Sequence, residues 1–185
     1  LTPARFMGRI GARSDMGSVF FHDLRLDEHG NERPEFILNQ TPYRDAKILV
    51  GDTNFGCGSS RETAVWALMD YGFQAVIAPS FGDIFHSNCA KNGLVAVRLD
   101  AAQCADIRRS LHDNPGTEIT VDLAGQTVAV HDGRNELLRF DFDPFQKQCL
   151  LEGLDDIGIT LEHKSLIENY ESKHRRDMSW LSPNQ

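Results

Sequence analysis

The sequence predicts an α/β domain built in three layers. From Ala46 to Leu111, β-rich apolar runs alternate with segments of helical period, and from Glu118 to Phe142 the pattern changes to short alternating strands separated by turn residues. The first pattern calls for parallel strands joined by crossover helices, the second for an antiparallel meander. A helical pattern then returns and runs towards the end of the chain.

Taken in order, residues 1–45 predict long loops and a short helix, because Gly8, Gly11, Gly17 and Gly30 break any period and Pro34 and Pro42 restrict the backbone. Lys47–Val50 reads as the first strand, followed by a glycine-rich loop and a helix over Arg61–Tyr71. Ala75–Ala78 is the next strand, and a helix runs from about Gly82 to Lys91. Leu94–Leu99 is again β-rich, and Ala101–Leu111 carries apolar residues at helical spacing in Ala105, Ile107 and Leu111. Glu118–Leu123, Thr127–Val130 and Leu137–Phe142 alternate apolar and polar residues around the turn signals Ala124-Gly125 and Asp132-Gly133. Pro144 suits the first turn of a helix, and His163–Lys173 forms a last amphipathic stretch. The organisation is one domain over 1–185: a loop-rich part over 1–45, an α/β core over 46–161, and a C-terminal helix with a polar tail over 162–185.

With 185 residues, 41% of them hydrophobic, the chain can bury a real core. Its net charge of −8 and pI near 5.3 leave no basic stripe to neutralise phosphates, which argues against nucleic acid and anionic membranes as partners. Only Lys173-His174-Arg175-Arg176 runs positive, and its place near the end reads as a solvated tail. The longest apolar runs are strand-sized, so the expectation is a soluble, cytoplasmic protein. Cys57, Cys89, Cys104 and Cys149 form no CxxC pair and stand beside no histidine cluster, so they read as free thiols, most of them buried, and no local motif holds a metal.

The chemistry is concentrated in Asn54-Phe-Gly-Cys-Gly-Ser-Ser-Arg-Glu62. Ser59 and Glu62 stand at capping-box spacing, so Ser59 is expected to cap the helix that follows. Arg61 in the first helical turn would face the positive end of the dipole at a cost of roughly 0.3–1 kcal/mol, which an anion at that point would offset. Gly51 to Gly56 has P-loop spacing but lacks the lysine, and Gly56-Cys-Gly58 lacks the third glycine of a dinucleotide fingerprint. Ser59 has a glycine on one side only, unlike a nucleophile elbow. Backbone N–H groups, two hydroxyls and a guanidinium suit a carboxylate, and a serine there can take a proton from a carbon acid if the same donors stabilise its alkoxide. Cys57 as a nucleophile activated by a histidine remains the alternative.

The same loop, together with Trp66-Ala-Leu-Met-Asp-Tyr-Gly-Phe73, Val76-Ile-Ala-Pro-Ser-Phe81 with Asp83-Ile-Phe85, and Gly153-Leu-Asp-Asp-Ile-Gly-Ile-Thr-Leu161, resembles the small subunits of bacterial 3-isopropylmalate dehydratases. The likeness runs from about Leu1 to Tyr170. It implies the swivelling domain of the aconitase superfamily, a three-layer β/β/α fold, and interconversion of 2- and 3-isopropylmalate in leucine biosynthesis by loss and return of water. It also implies a four-iron four-sulfur cluster on a separate large subunit, with none bound by this chain, and a small 2-hydroxy dicarboxylic acid as substrate. By this resemblance Ser59 aligns with the catalytic base and Ser60 with its hydrogen-bonding neighbour. Arg61 aligns with the arginine that grips a substrate carboxylate, Gly58 shares the substrate-binding loop, and Arg5 falls near a second substrate arginine. Thr63 stands where histidine is common, His86 where tyrosine is frequent and Ala96 where proline is typical. The family's acidic Asn-x-Asp-Thr-Asp segment would lie upstream of Leu1. The alternatives are a related hydro-lyase subunit acting on citramalate/citraconate, dimethylmalate or homoaconitate, and a carboxylate-binding module without catalysis.

Overall fold

Two separate apolar cores share one parallel sheet. The computed structural model describes residues 1–6, 16–134, 136–178 and 180. Gly8 and Gly11 of the expected N-terminal loops, and the end of the expected tail at 181–185, lie outside the described residues. Strands β1 (Ile48–Val50), β2 (Ala75–Ala78) and β3 (Val95–Arg98) are parallel and ordered β1-β2-β3, with Ile48 opposite Ala75 and Ala75 opposite Val95. Successive side chains of a strand point to opposite faces. Leu49, Val76, Ala78 and Ala96 therefore enter one core, while Ile48, Val50, Ile77, Val95 and Val97 enter the other.

The first core is closed by α2 (Thr63–Tyr71) and α3 (Asp83–Asn92), through Ala64, Val65, Ala67, Leu68, Phe85 and Cys89. The N-terminal part completes it. A 3-10 turn at Met16–Val19, the short helix α1 (His22–Arg25) and a turn at Ile37–Asn39 carry Met16, Phe20 and Leu38 inward. Phe20 meets Phe73 edge-on at 5.7 Å, and burying such a ring is worth roughly 1.5–3 kcal/mol. The expected loops and short helix over 1–45 are thus fastened to the core, with Asn39 donating from its amide to the carbonyls of Arg25 and Arg33, each at 2.8 Å.

The second core lies between the parallel sheet, α4 (Ala101–Asp113) and an antiparallel sheet of β4 (Ile119–Asp122), β5 (Thr127–Val130) and β6 (Leu137–Arg139), ordered β4-β5-β6. Val128, Val130 and Leu138 face Ile77, Val97, Cys104 and Ile107. Both tight turns form where Ala124-Gly125 and Asp132-Gly133 announce them, each closed by an aspartate accepting from the turn backbone: Asp122 from Gly125 at 2.9 Å and Asp132 from Arg134 at 3.0 Å. The layers run helices, parallel sheet, antiparallel sheet, which is the β/β/α order.

The chain ends in three helices, α5 (Pro144–Glu152), α6 (Asp156–Leu161) and α7 (Lys164–Asp177). Pro144 is the first residue of α5, and Asp143 before it accepts from the Gln146 N–H at 2.8 Å. Asp155 caps α6 in the same way through Gly158, at 2.6 Å.

Candidate active site

The glycine-rich loop leaves the carboxyl end of β1 and reaches α2 through a series of turns fixed by neighbouring segments. The Gly51 N–H donates to the Ile77 carbonyl at 2.8 Å, continuing the sheet by one residue. Arg108 of α4 donates to the Gly51 carbonyl at 2.6 Å and stands 3.5 Å from the Asp52 carboxylate. The Asp52 carboxyl is held below the usual carboxylate range, first by hydrogen bonds from Thr53 and then by Arg108.

The middle of the loop is bound to the segment after β2. The Asn54 N–H donates to Ser80 Oγ at 2.8 Å, the Phe55 N–H to the Ser80 carbonyl at 2.9 Å, and the Gly82 N–H to the Phe55 carbonyl at 2.9 Å. The Phe55 ring lies 5.6 Å from that of Phe85 and 6.2 Å from that of Phe81, both edge-on. Gly56 and Gly58 have φ of 76° and 79°, a region that costs a side-chain-bearing residue roughly 1–2 kcal/mol. At Gly56 a Cβ would also strike the Phe85 ring at 2.3 Å, whereas at Gly58 it would meet open space.

The chain then turns again, with the Ser59 N–H donating to the Gly56 carbonyl at 2.9 Å. The expected helix start at Arg61 and the expected Ser59–Glu62 capping box are both corrected here. Helix α2 begins at Thr63, Glu62 occupies the N-cap position, and no side chain caps it. The physical reason is that Ser59 closes the Gly56–Ser59 turn through its own N–H, which leaves it three residues before the cap. Arg61 is therefore not in the first helical turn but one residue before the cap, still at the positive end of the helix. Ser59 is half-buried, and Gly58, Ser60 and Arg61 are exposed. Thr63, the first helical residue, carries a buried hydroxyl that finds no hydrogen-bond partner among the described residues.

The structure thus strings Gly58, Ser59, Ser60 and Arg61 along the short segment between the Gly56–Ser59 turn and the start of α2. Arg5 sits on a 3-10 turn at Ala4–Phe6, and its guanidinium forms a two-pronged pair with the Asp23 carboxylate of α1. That pairing, with help from His22, holds the Asp23 carboxyl down to about 2. Of the cysteines, Cys57 is exposed, Cys149 half-buried, and Cys89 and Cys104 buried, so half rather than most of the thiols are inside. Burial pushes the Cys89 thiol up to about 12, which keeps it protonated and inert. Among the described residues, no three histidine, cysteine, aspartate or glutamate side chains come together to hold a metal.

A groove of about 830 Å³ opens between β3 and β6, lined by Pro79, His86, Arg98, Arg139, Phe142 and Gln146 among others. Burial and then the nearby Arg98 hold the His86 pKa below its ordinary value. Ser59, Ser60 and Arg61 do not line this groove. Ser80, Arg108 and the Thr63 hydroxyl are the parts of the site that the sequence did not assign. Val76-Ile-Ala-Pro-Ser-Phe81 carried a signal for Ser80, but Arg108 reaches the loop from 57 positions away and left none.

No helix among the described residues is long and apolar enough to cross a membrane. Residues 3–102 match the aconitase C-terminal domain, and residues 156–184 match the C-terminal domain of the 3-isopropylmalate dehydratase small subunit. The chain is 46% identical over 181 residues to a 3-isopropylmalate dehydratase small subunit of Roseobacter denitrificans, covering 98% of this chain and 89% of that one. It is 47% identical over 174 residues to another from Koribacter versatilis, covering 94% and 88%. A solved 3-isopropylmalate dehydratase structure from Methanocaldococcus jannaschii superposes with a TM-score of 0.53 at 26% identity, over 73% of this chain and 75% of that one. Fold, loop and relatives agree, and the chain belongs to the 3-isopropylmalate dehydratase small-subunit family, with an aconitase C-terminal domain as its amino-terminal part.

Proposed function

We propose that the chain is the small subunit of a 3-isopropylmalate dehydratase and supplies half of its active site, acting as one swivelling domain over 1–185. The observation that carries this reading is the open Gly58–Arg61 segment, held at the carboxyl edge of the parallel sheet in a chain about 45% identical to named small subunits. Gly58, Ser60 and Arg61 stand exposed on the surface, outside the large groove, which suits a site completed by another chain.

Arg61 grips a carboxylate of the 2-hydroxy acid by the two-pronged geometry that guanidinium and carboxylate share. Ser59 Oγ takes the proton from the carbon next to the hydroxyl-bearing carbon. As that C–H bond breaks the electron pair forms the alkene and hydroxide departs, and the reverse steps with water added at the other carbon give the isomer. Ser60 hydrogen-bonds Ser59, and Gly58 keeps the turn free of side-chain bulk where the substrate approaches. Glycine at this position also leaves the left-handed backbone unstrained. The four-iron four-sulfur cluster of the large subunit, when bound, polarises the departing hydroxyl. In this reading the chain contributes the base and the carboxylate clamp. Arg5 serves as a second clamp only by exchanging Asp23 for the substrate.

Reconstitution tests the reading. The chain with its large subunit should interconvert 2- and 3-isopropylmalate, and the isolated chain should be silent. Ser59→Ala should lower kcat by about 10²–10⁴-fold, the usual worth of a positioned proton-transfer group. Turnover by the isolated chain, or a Ser59→Ala complex as fast as the unaltered one, overturns it.

A further inference from the structure

The C-terminal helices turn their largest apolar side chains outward. Ile157 and Leu161 on α6 are 68% and 55% exposed, and Leu166 and Tyr170 on α7 are 66% and 68% exposed. Each pair is spaced i, i+4, so each forms a stripe on one face of its helix. On α7 the half-buried residues are Ile167 and His174, and no residue of the helix is buried. Its ion pairs stay within the helix, Lys164 with Glu168 at 3.8 Å and Arg175 with Glu171 at 3.1 Å. Outward apolar stripes of this kind mark an interaction surface.

We propose that the outward face of α6 and α7 is a docking surface for the large subunit. The inference rests on the two-subunit reading above and adds where the two chains meet. Two observations select this occupant. The match to the small subunit's own terminal domain begins at residue 156 and spans both helices, whereas the aconitase domain match ends at residue 102. A domain that stands as a separate subunit must hold its partner without a covalent link, and the segment particular to the small subunit is the one that bears the outward apolar face. Next, the α7 stripe runs into Lys173-His174-Arg175-Arg176, the one basic run of a chain whose net charge is −8; among the described residues Arg175 and Arg176 pair only with the exposed Glu171 and Asp177 of the same helix, so the run fits the acidic rim of an apolar groove by exchanging those partners.

The test uses the full chain with Leu166→Glu and Tyr170→Glu together. Both side chains are exposed, so far-UV circular dichroism and melting should be unchanged. Affinity for the purified large subunit, read by titration calorimetry, should fall by at least about 30-fold, the effect of losing an interface hot spot. The kcat at saturating large subunit should be retained, and Leu166→Met with Tyr170→Phe should keep binding intact. Unchanged affinity overturns the proposal. So does a double variant that only turns a self-associating chain into a monomer while binding the large subunit as before, since the face would then belong to a second copy. If the unaltered chain fails to bind the large subunit at all, the two-subunit reading falls and this inference falls with it.

Discussion

Thr63 shows how a single hydroxyl can be costly. Its Oγ1 is buried beside the candidate site and has no partner among the described residues, and an unsatisfied group of this kind costs about 1–3 kcal/mol. Valine has the same shape without the hydroxyl. Thr63→Val should therefore melt at the same temperature as the unaltered chain or a few degrees higher; a clear fall in melting temperature would show that the hydroxyl is already bonded. The residues legible in the sequence were those that lie together along it. Gly58, Ser59, Ser60 and Arg61 share one short segment, so their order alone brings them together. Ser80, Arg108 and the state of the Thr63 hydroxyl were not legible, because each depends on what a distant segment places beside the loop. Arg61 escapes the first helical turn for a local reason, since the backbone turns once more before the helix begins.

Among the elements, the connection after β2 governs the glycine-rich loop of the candidate site. Ser80 accepts from Asn54 through its hydroxyl and from Phe55 through its carbonyl, so one residue fixes two successive amides of the loop. Ser80→Ala keeps the backbone bond and removes the other. The expected result is a loss of about 1 kcal/mol in stability, the net worth of a hydrogen bond. On the proposed reading the KM of the complex should rise and its kcat fall together, because Ser59 and Arg61 follow each other on the segment that Ser80 anchors. Denaturant melts and steady-state kinetics on the same preparation would separate the two effects, and an unchanged KM would rule out this role for Ser80. The strands and helices themselves were readable because each strand of the parallel sheet alternates between two apolar cores, so even the inner strand β2 shows a continuous apolar run bounded by turns. The helix starts at Ala101 and Pro144, each preceded by an aspartate, were readable, and the one placed at Arg61 moved to Thr63, where no side chain caps the helix.

For the molecule as a whole, the layer order followed from the switch between the two strand patterns, but how the N-terminal part is held did not. Phe20, Met16 and Leu38 are buried although their segment has no period, since each is carried inward by an isolated turn rather than by a repeating face. The outward apolar side chains of α6 and α7 have the opposite history. On α7 the spacing was visible as an amphipathic stretch, whereas α6 was not read as a helix, and spacing alone does not say whether the apolar side meets this chain or another.

Strand β2 has a further consequence. Val76 and Ala78 belong to one core and Ile77 to the other, so this backbone cannot open unless both cores give way together. Its amides should be among the slowest in the chain to exchange with deuterium, at rates set by global unfolding. The root of the loop is tied to the same strand, through the Gly51 N–H on the Ile77 carbonyl. A small subunit warmed before it is mixed with its partner should therefore lose the capacity to support turnover in step with loss of its circular dichroism signal. Earlier loss of that capacity, with β2 amides still protected, would show that the loop unravels independently of the strand that anchors it.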